Sequence, residues 1–270
     1  MSKKLLASPF LIWIACGTII PLAVIAYYGF TDRSGAFTID NVMAIFGADH
    51  AKALILALAL ALISTIICFV LAFPLALILK ESKMGRRGFI VFIFILPMWM
   101  NFLLRTMAWQ VILEKGGLIN TLLASIGLPS LEIINTPAAI VLGMVYDFLP
   151  FMVLPIYNTI MKIDDHIVEA AHDLGATKKR VLFDILLPLS VPGIASGVTM
   201  VFVPSLTTFV ISNMLGGGKI NLIGNIIEQE FTTSANWNLG SGLSLVMMVF
   251  IVISMAALTK LDKNGEGNLL

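Results

Sequence analysis

The residues able to carry chemistry in this chain are few and fall in two settings. Asp147, in "GMVYDFLPFMVLPIYN", and Arg105, in "LPMWMNFLLRTMAW", are ionisable groups inside otherwise apolar stretches. The second setting is polar, "IDDHIVEAAHDLGATKKRVLFDILLP" from Ile163 to Pro188. A hydrolase or metalloenzyme needs clustered His, Ser, Asp or Glu at fixed spacing. Only His50, His166 and His172 are present, all in loops, and neither H-E-x-x-H nor G-x-S-x-G occurs. Cys16 and Cys68 sit within apolar runs and read as small hydrophobes rather than disulfide or metal ligands. The chain is therefore expected to be no enzyme and to hold no metal.

What must position these groups is a membrane domain. The chain of 270 residues is 59% hydrophobic and only 12% charged, about half the charge of a soluble globular protein, which carries roughly 25%. Mean hydropathy is +0.98. A helix needs about 20 apolar residues to cross about 30 Å of hydrocarbon. Six stretches qualify, at about 9–30, 53–79, 89–109, 137–157, 189–211 and 241–261. The expectation is an all-α, polytopic protein with six transmembrane helices, the whole of 1–270 forming a single transmembrane domain. The first stretch is longer than a signal peptide's apolar core and is read as a retained span.

Lysine and arginine counts orient the spans. Lys3, Lys4, Lys80, Lys83, Arg86, Arg87, Lys162, Lys178, Lys179, Arg180, Lys260 and Lys263 fall on one side; Arg33, Lys52, Lys115 and Lys219 fall on the other. The richer side is expected to be cytoplasmic, with both termini inside. The polar stretch is then a cytoplasmic loop, at about 162–188, between spans four and five. On the outer side, residues 114–128 have helical spacing and read as a short interfacial helix. Gly216 to Gly218 precede an apolar run expected to form a partly buried, re-entrant or surface helix.

Within the loop, Ile163, Ile167, Ala170, Ala171 and Leu174 recur three and four apart, one face of a helix. Asp164 or Asp165 suits its N-cap, and Gly175 suits the residue past its end. Thr177 suits the cap of a second helix, with Val181, Leu182, Ile185 and Leu186 on its apolar face. Two short helices about a glycine turn also describe a DNA-binding motif. From Lys162 to Asp184, however, four basic and five acidic residues give a net of minus one, whereas phosphate contacts need a basic surface. No nucleic acid is expected. An amphipathic knob with a charged rim instead suits a partner protein's groove.

Glu169, Ala170, Ala171, Gly175, Ile185, Leu187 and Pro188 stand at the positions that define the EAA loop of ATP-binding-cassette importer permeases, which this stretch resembles. The resemblance implies a type I importer permease fold, in which the loop forms a coupling helix seated in the ATPase subunit. The chain has no G-x-x-x-x-G-K-[ST] of its own. ATP and Mg would then sit on that separate partner, with no cofactor on this chain. The segments at 96–109, 143–158 and "LGGGKINLIGNIIEQEF" at 215–231 resemble the spermidine/putrescine branch, the PotB-type permeases. This implies a second, PotC-type permease, two ATPase subunits, an extracytoplasmic polyamine-binding protein and a bacterial plasma membrane. Permeases for iron, sulfate and opines share the general pattern and remain the alternative, as does a membrane protein working without an ATPase.

Asp147, Trp99, Tyr146 and Phe151 are the candidate substrate-path residues, because a polycation seeks carboxylates and aromatic faces. Asp147 lies ten residues into span four, about 15 Å deep. Either it hydrogen-bonds a neighbouring helix or stays neutral, or it lines the translocation cavity beside Tyr146 or Phe151 and helps hold an ammonium group. Arg105, sixteen residues beyond Phe89 and so about 24 Å along its span, is expected at the outer interface. Its depth would differ from that of Asp147 by roughly 9 Å, making it a poor partner.

Overall fold

A computed structural model describes residues 9–10, 13–82, 96 and 98–267, with side chains to 258. Most of the first half of the third expected span lies outside these residues, as do Lys3, Lys4, Lys83, Arg86 and Arg87. Among the described residues every extended element is helical, with a lone bridge between Thr31 and Phe37.

Besides short helical turns at Asp40–Met43 and Ala44–Phe46, the helices among the described residues are, in chain order, α1 Ala15–Gly29, α2 Ala48–Glu81, α3 Phe102–Leu113, α4 Leu118–Ser125, α5 Pro137–Ile160, α6 Asp165–Asp173, α7 Lys178–Leu189, α8 Val191–Thr207, α9 Val210–Leu215, α10 Ile223–Thr232 and α11 Trp237–Gly267. By length and composition α2, α5 and α11 are each able to cross a bilayer, and the bent pair α7–α8 passes the same test together. The chain is thus a multi-pass membrane protein, and its apolar helices are consistent with the six spans expected.

Two compact units divide it: residues 1–54 with 223–252, and residues 55–222 with 253–270. In the first unit, Asn238 Nδ2 donates to the Tyr28 carbonyl at 3.2 Å, and Asn41 Nδ2 donates to the Gly29 carbonyl at 3.3 Å. These amides close the end of α1, whose last carbonyls have no partner within the helix.

The second unit carries the candidate site. Its central contact is α5 on α8. Gly193 and Gly197, four apart on α8, make this possible. A methyl group at Gly193 would fall 2.7 Å from the Pro155 carbonyl oxygen, and one at Gly197 would fall 2.7 Å from the Met152 sulfur. With lipid as solvent, helices associate through such close backbone approach rather than through a hydrophobic drive. Along α2, Ala57, Ala61, Ser64, Cys68, Ala72 and Ala76 form a fully buried small-residue stripe. Ser64 Oγ donates to the Met144 sulfur of α5 at 3.4 Å.

The fifth span departs from the continuous helix expected over 189–211. α7 contains a π-helical turn at Leu182–Leu186, and α7 and α8 meet at a bend of 66°. α8 then stops at Thr207, and Thr208 takes an extended backbone before α9 begins. Pro204, inside α8, removes one ladder donor close to this break. The 114–128 segment forms α4, and α10 follows the three glycines with Ile223, Gly224 and Asn225 buried.

Candidate functional site

The loop at 162–188 is held by local rules. Asp164 caps α6, its Oδ1 accepting from the His166 amide at 3.0 Å. At the other end the Gly175 amide donates to the His172 carbonyl at 2.9 Å, and the Ala176 amide donates to the Ala171 carbonyl at 2.9 Å. These are the two bonds of a Schellman closure, which needs a left-handed residue. Gly175 supplies it, at φ +82°. Thr177 Oγ1 then accepts from the Arg180 amide at 3.4 Å and starts α7.

The arrangement leaves an apolar ridge on a charged loop. Leu174 is 89% exposed and Phe183 60% exposed, and Ile167 is exposed as well. Glu169, Ala170, Gly175 and Pro188 are exposed, while Ala171, Ile185 and Leu187 are half-buried. Val181, read from sequence as part of an outward apolar face, is buried, and Leu182, Ile185 and Leu186 are half-buried. The second helix turns that face inward. Phe183, which the spacing did not single out, faces out. Polar groups rim the ridge. His166 Nδ1 lies 3.2 Å from Glu169 Oε2. The hydrogen bond to Glu169, then the charge of Asp164, holds the His166 imidazole above its ordinary pKa.

Lys80, at the end of α2, donates to the Ile163 carbonyl at 2.8 Å and pairs with Asp165 at 3.0 Å. The end of α2 and the 162–188 loop therefore lie on the same side of this unit. The Asn135 amide donates to the Leu215 carbonyl at 2.8 Å, which brings the other set of connections together. Both contacts agree with the alternation of loops read from sequence.

Inside the bundle, the expectation for Arg105 is overturned. Arg105 Nε lies 3.3 Å from Asp147 Oδ1, and the two side chains are 7% and 1% exposed. Thr106 Oγ1 donates to Asp147 Oδ2 at 3.4 Å. The depth count failed because it took Phe89 as the start of one straight helix ending at Trp109. α3 instead starts after Asn101, whose side chain caps it, and runs on to Leu113. Measured from the 114–136 connection, Arg105 is eight residues, about 12 Å, from Leu113, and Asp147 is ten residues, about 15 Å, from Pro137. Their depths match.

The four candidate path residues do not converge. Asp147 faces Arg105 and Thr106. Tyr146 lies edge-on to Trp109 at 5.3 Å and lines a separate apolar groove of about 640 Å³ with Leu60, Ile63 and Leu142. Trp99 is 81% exposed, and Phe151 is half-buried.

This geometry stands beside three comparisons. The family described as "binding-protein-dependent transport system inner membrane component" matches residues 72–264. The chain belongs to that family. It is 35% identical to the spermidine/putrescine transport system permease protein PotB of Haemophilus influenzae over 94% of this chain and 93% of that one. The PotB of Escherichia coli is 34% identical over 94% and 97%. The inner membrane ABC transporter permease YdcU of Escherichia coli is 27% identical over 91% and 84%. Among solved structures, a chain of a bacterial ABC transporter that imports alginate superposes with a TM-score of 0.80 at 19% identity, over 95% of this chain and 93% of that one. The same transporter bound to its periplasmic protein gives 0.81 at 17% identity, over 97% and 93%. At these identities the likeness is one of fold, and the fold is that of an ABC importer permease.

Proposed function

We propose that this chain is the transmembrane subunit of an ATP-driven importer for polyamines, spermidine or putrescine, and that it forms half of the translocation path. The observation that carries the reading is the 162–188 loop: a capped, glycine-turned helix pair that presents Ile167, Leu174 and Phe183 outward from a membrane bundle. An apolar ridge with a charged rim suits the groove of a partner protein. The polyamine assignment is supported by the PotB relatives, matched over nearly their full length.

In this reading the whole chain is one permease domain, and the loop side and both termini are cytoplasmic. Glu169, Ala170, Ala171, Gly175, Ile185, Leu187 and Pro188 serve coupling. Glu169 and Ala170 lie beside the ridge. Ala171 and Gly175 close the helix end. Ile185, Leu187 and Pro188 set the return into α8. ATP and Mg²⁺ bind two separate ATPase subunits, and this chain hydrolyses nothing. A second, PotC-type permease completes the path, and an extracytoplasmic binding protein delivers the polyamine.

Asp147, Trp99, Tyr146 and Phe151 remain the candidate path residues. Since Asp147 is paired with Arg105, an ammonium group reaching it must compete with a guanidinium, which makes Arg105 part of the same question. The test is uptake of labelled spermidine and putrescine by proteoliposomes holding the full complex, with and without ATP. ATP-dependent accumulation of a polyamine is the expected result. ATP-dependent uptake of iron, sulfate or an opine, with no polyamine uptake, would overturn the substrate. Uptake that ignores ATP would overturn the transporter class.

A further inference from the structure

The two ends of α6 are held very differently. At its start, Lys80 reaches across from the last turn of α2. Its ammonium donates to the Ile163 carbonyl at 2.8 Å and meets the Asp165 carboxylate at 3.0 Å, and its side chain is only 12% exposed. Ile163 lies in the turn that leaves α5, and Asp165 is the first residue of α6. That turn has no slack. The Met161, Lys162 and Ile163 amides donate in succession to the Tyr157, Thr159 and Ile160 carbonyls, at 2.9, 3.1 and 3.2 Å. A cavity of about 230 Å³ beside the clamp is lined by Leu77 and Lys80 of α2 and by Asp165, Val168 and Leu186 of the loop. One ammonium therefore ties together the end of α2, the end of α5 and the start of α6. A lysine suits this task, having a long stem and three donors to share between a carbonyl and a carboxylate.

Among the described residues, the far end of α6 carries no such clamp. Leu174 and Gly175 are exposed, Gly175 is left-handed, and a methyl group added there would meet nothing within 4 Å. A displacement applied to the ridge is thus resisted at the Asp164 end and meets open space at the Gly175 end.

We propose that Lys80 is a positioning residue for energy coupling. It locks α6 to α2 and α5, so that movement of the ridge drives these helices as one body, while the Gly175 turn absorbs the motion relative to α7. The proposal rests on the reading of 162–188 as the ATPase coupling loop. Without the clamp, α6 pivots about its covalent link at Asp164, and the displacement is spent on the loop.

The test uses the full complex in proteoliposomes, comparing wild type with Lys80→Met, which keeps length and removes charge, and with the exchanged pair Lys80→Asp/Asp165→Lys. The readouts are basal ATP hydrolysis, its stimulation by substrate-loaded binding protein, and polyamine transported per ATP. In Lys80→Met the ATPase should still co-purify and basal hydrolysis should persist. Stimulation and transport per ATP should fall by about fivefold or more, the lower end of typical coupling between sites. The exchanged pair should recover part of the loss. A wild-type stimulation ratio in Lys80→Met would overturn the proposal. If that variant does not assemble, spin labels at Glu81 and His172 in the otherwise native complex decide. The distance should be the same with and without trapped ATP, and a change between the two states would overturn the rigid-body claim. Failure of the coupling-loop reading itself has a different signature: the ATPase would remain bound when Phe183 on the ridge is replaced by Asp.

Discussion

The buried pair Arg105–Asp147 and the exposed loop at 162–188 both concentrate charge, and they obey opposite rules. Apart from the Lys80–Asp165 contact to α2, the ion pairs of the loop are peripheral. His166–Glu169 and Arg180–Asp184 are each mostly exposed, and pairs of that kind contribute little. Caps and a Schellman turn fix the loop instead. In the bundle the order reverses. Two nearly inaccessible side chains meet inside the bundle, and each makes the other tolerable. A charge in the loop, the Asp165 partner of Lys80 apart, can be removed with local effect. A charge in the bundle can be removed safely only together with its partner.

The largest expected effect follows from that contrast. Arg105→Met or Asp147→Asn alone should destabilise the protein by roughly 3–5 kcal/mol, because each breaks a buried ion pair. The double variant should lose much less than the sum. Thermal unfolding in detergent checks this, and additive losses would mean that the two side chains are not energetically paired. Polyamine uptake by Asp147→Asn at matched surface expression then decides whether the carboxylate also serves transport.

Next in size is Phe183→Asp on the ridge. It should leave folding within about 0.5 kcal/mol of wild type, as an exposed substitution does. It should weaken ATPase association by about 2 kcal/mol, roughly thirtyfold, if Phe183 is an anchor of the interface. Quantitative co-purification of the ATPase reads this out. Equal loss of folding and association would erase the distinction between loop and bundle.

Gly175→Val should cost about 1–2 kcal/mol of loop order from the left-handed backbone alone, since space beside it is open. Transport and substrate-stimulated ATP hydrolysis should fall together while the binding protein still captures polyamine. Gly175→Asn should be milder, because asparagine tolerates this conformation better. Equal damage from Val and Asn would point to lost flexibility rather than backbone handedness.

The smallest effect is a pH dependence. The His166 imidazole is held above its ordinary value by Glu169 and then Asp164. A raised folded value means that the protonated form favours the ordered loop. Its contribution is complete below the unfolded histidine value and is lost as pH rises through the folded one. Hydrogen exchange of the α6 amides should show slightly more protection at low pH, and His166→Ala should flatten that trend. A trend of opposite sign would mean that the pair with Glu169 does not form in solution.

The loop was legible in the sequence because its determinants are local. Asp164, Gly175 and Thr177 act within a few residues of themselves, and each stands where spacing put it. Phe183 escaped because it lies off the face that spacing marks out at Val181, Leu182, Ile185 and Leu186, and it is that face which packs inward. The bundle was legible in its apolar lengths and not in its pairings. Arg105 was misplaced because its depth depends on where α3 begins, and composition alone did not reveal the Asn101 cap. The break at Thr208 follows Pro204, Ser205 and Thr207, a local signal that a count of apolar length passes over. Lys80 was counted as one more cytoplasmic charge, because its partners on the loop lie far along the chain.

The central claim is that a separate ATPase docks on this chain at the 162–188 ridge. Replacing Leu174, the most exposed apolar residue of the ridge, with a photoreactive amino acid tests it directly in membranes holding the whole transporter. Irradiation should yield a covalent product between this chain and the ATPase subunit, with an efficiency that changes on ATP binding. A product formed only with lipid or with another permease chain would contradict the account.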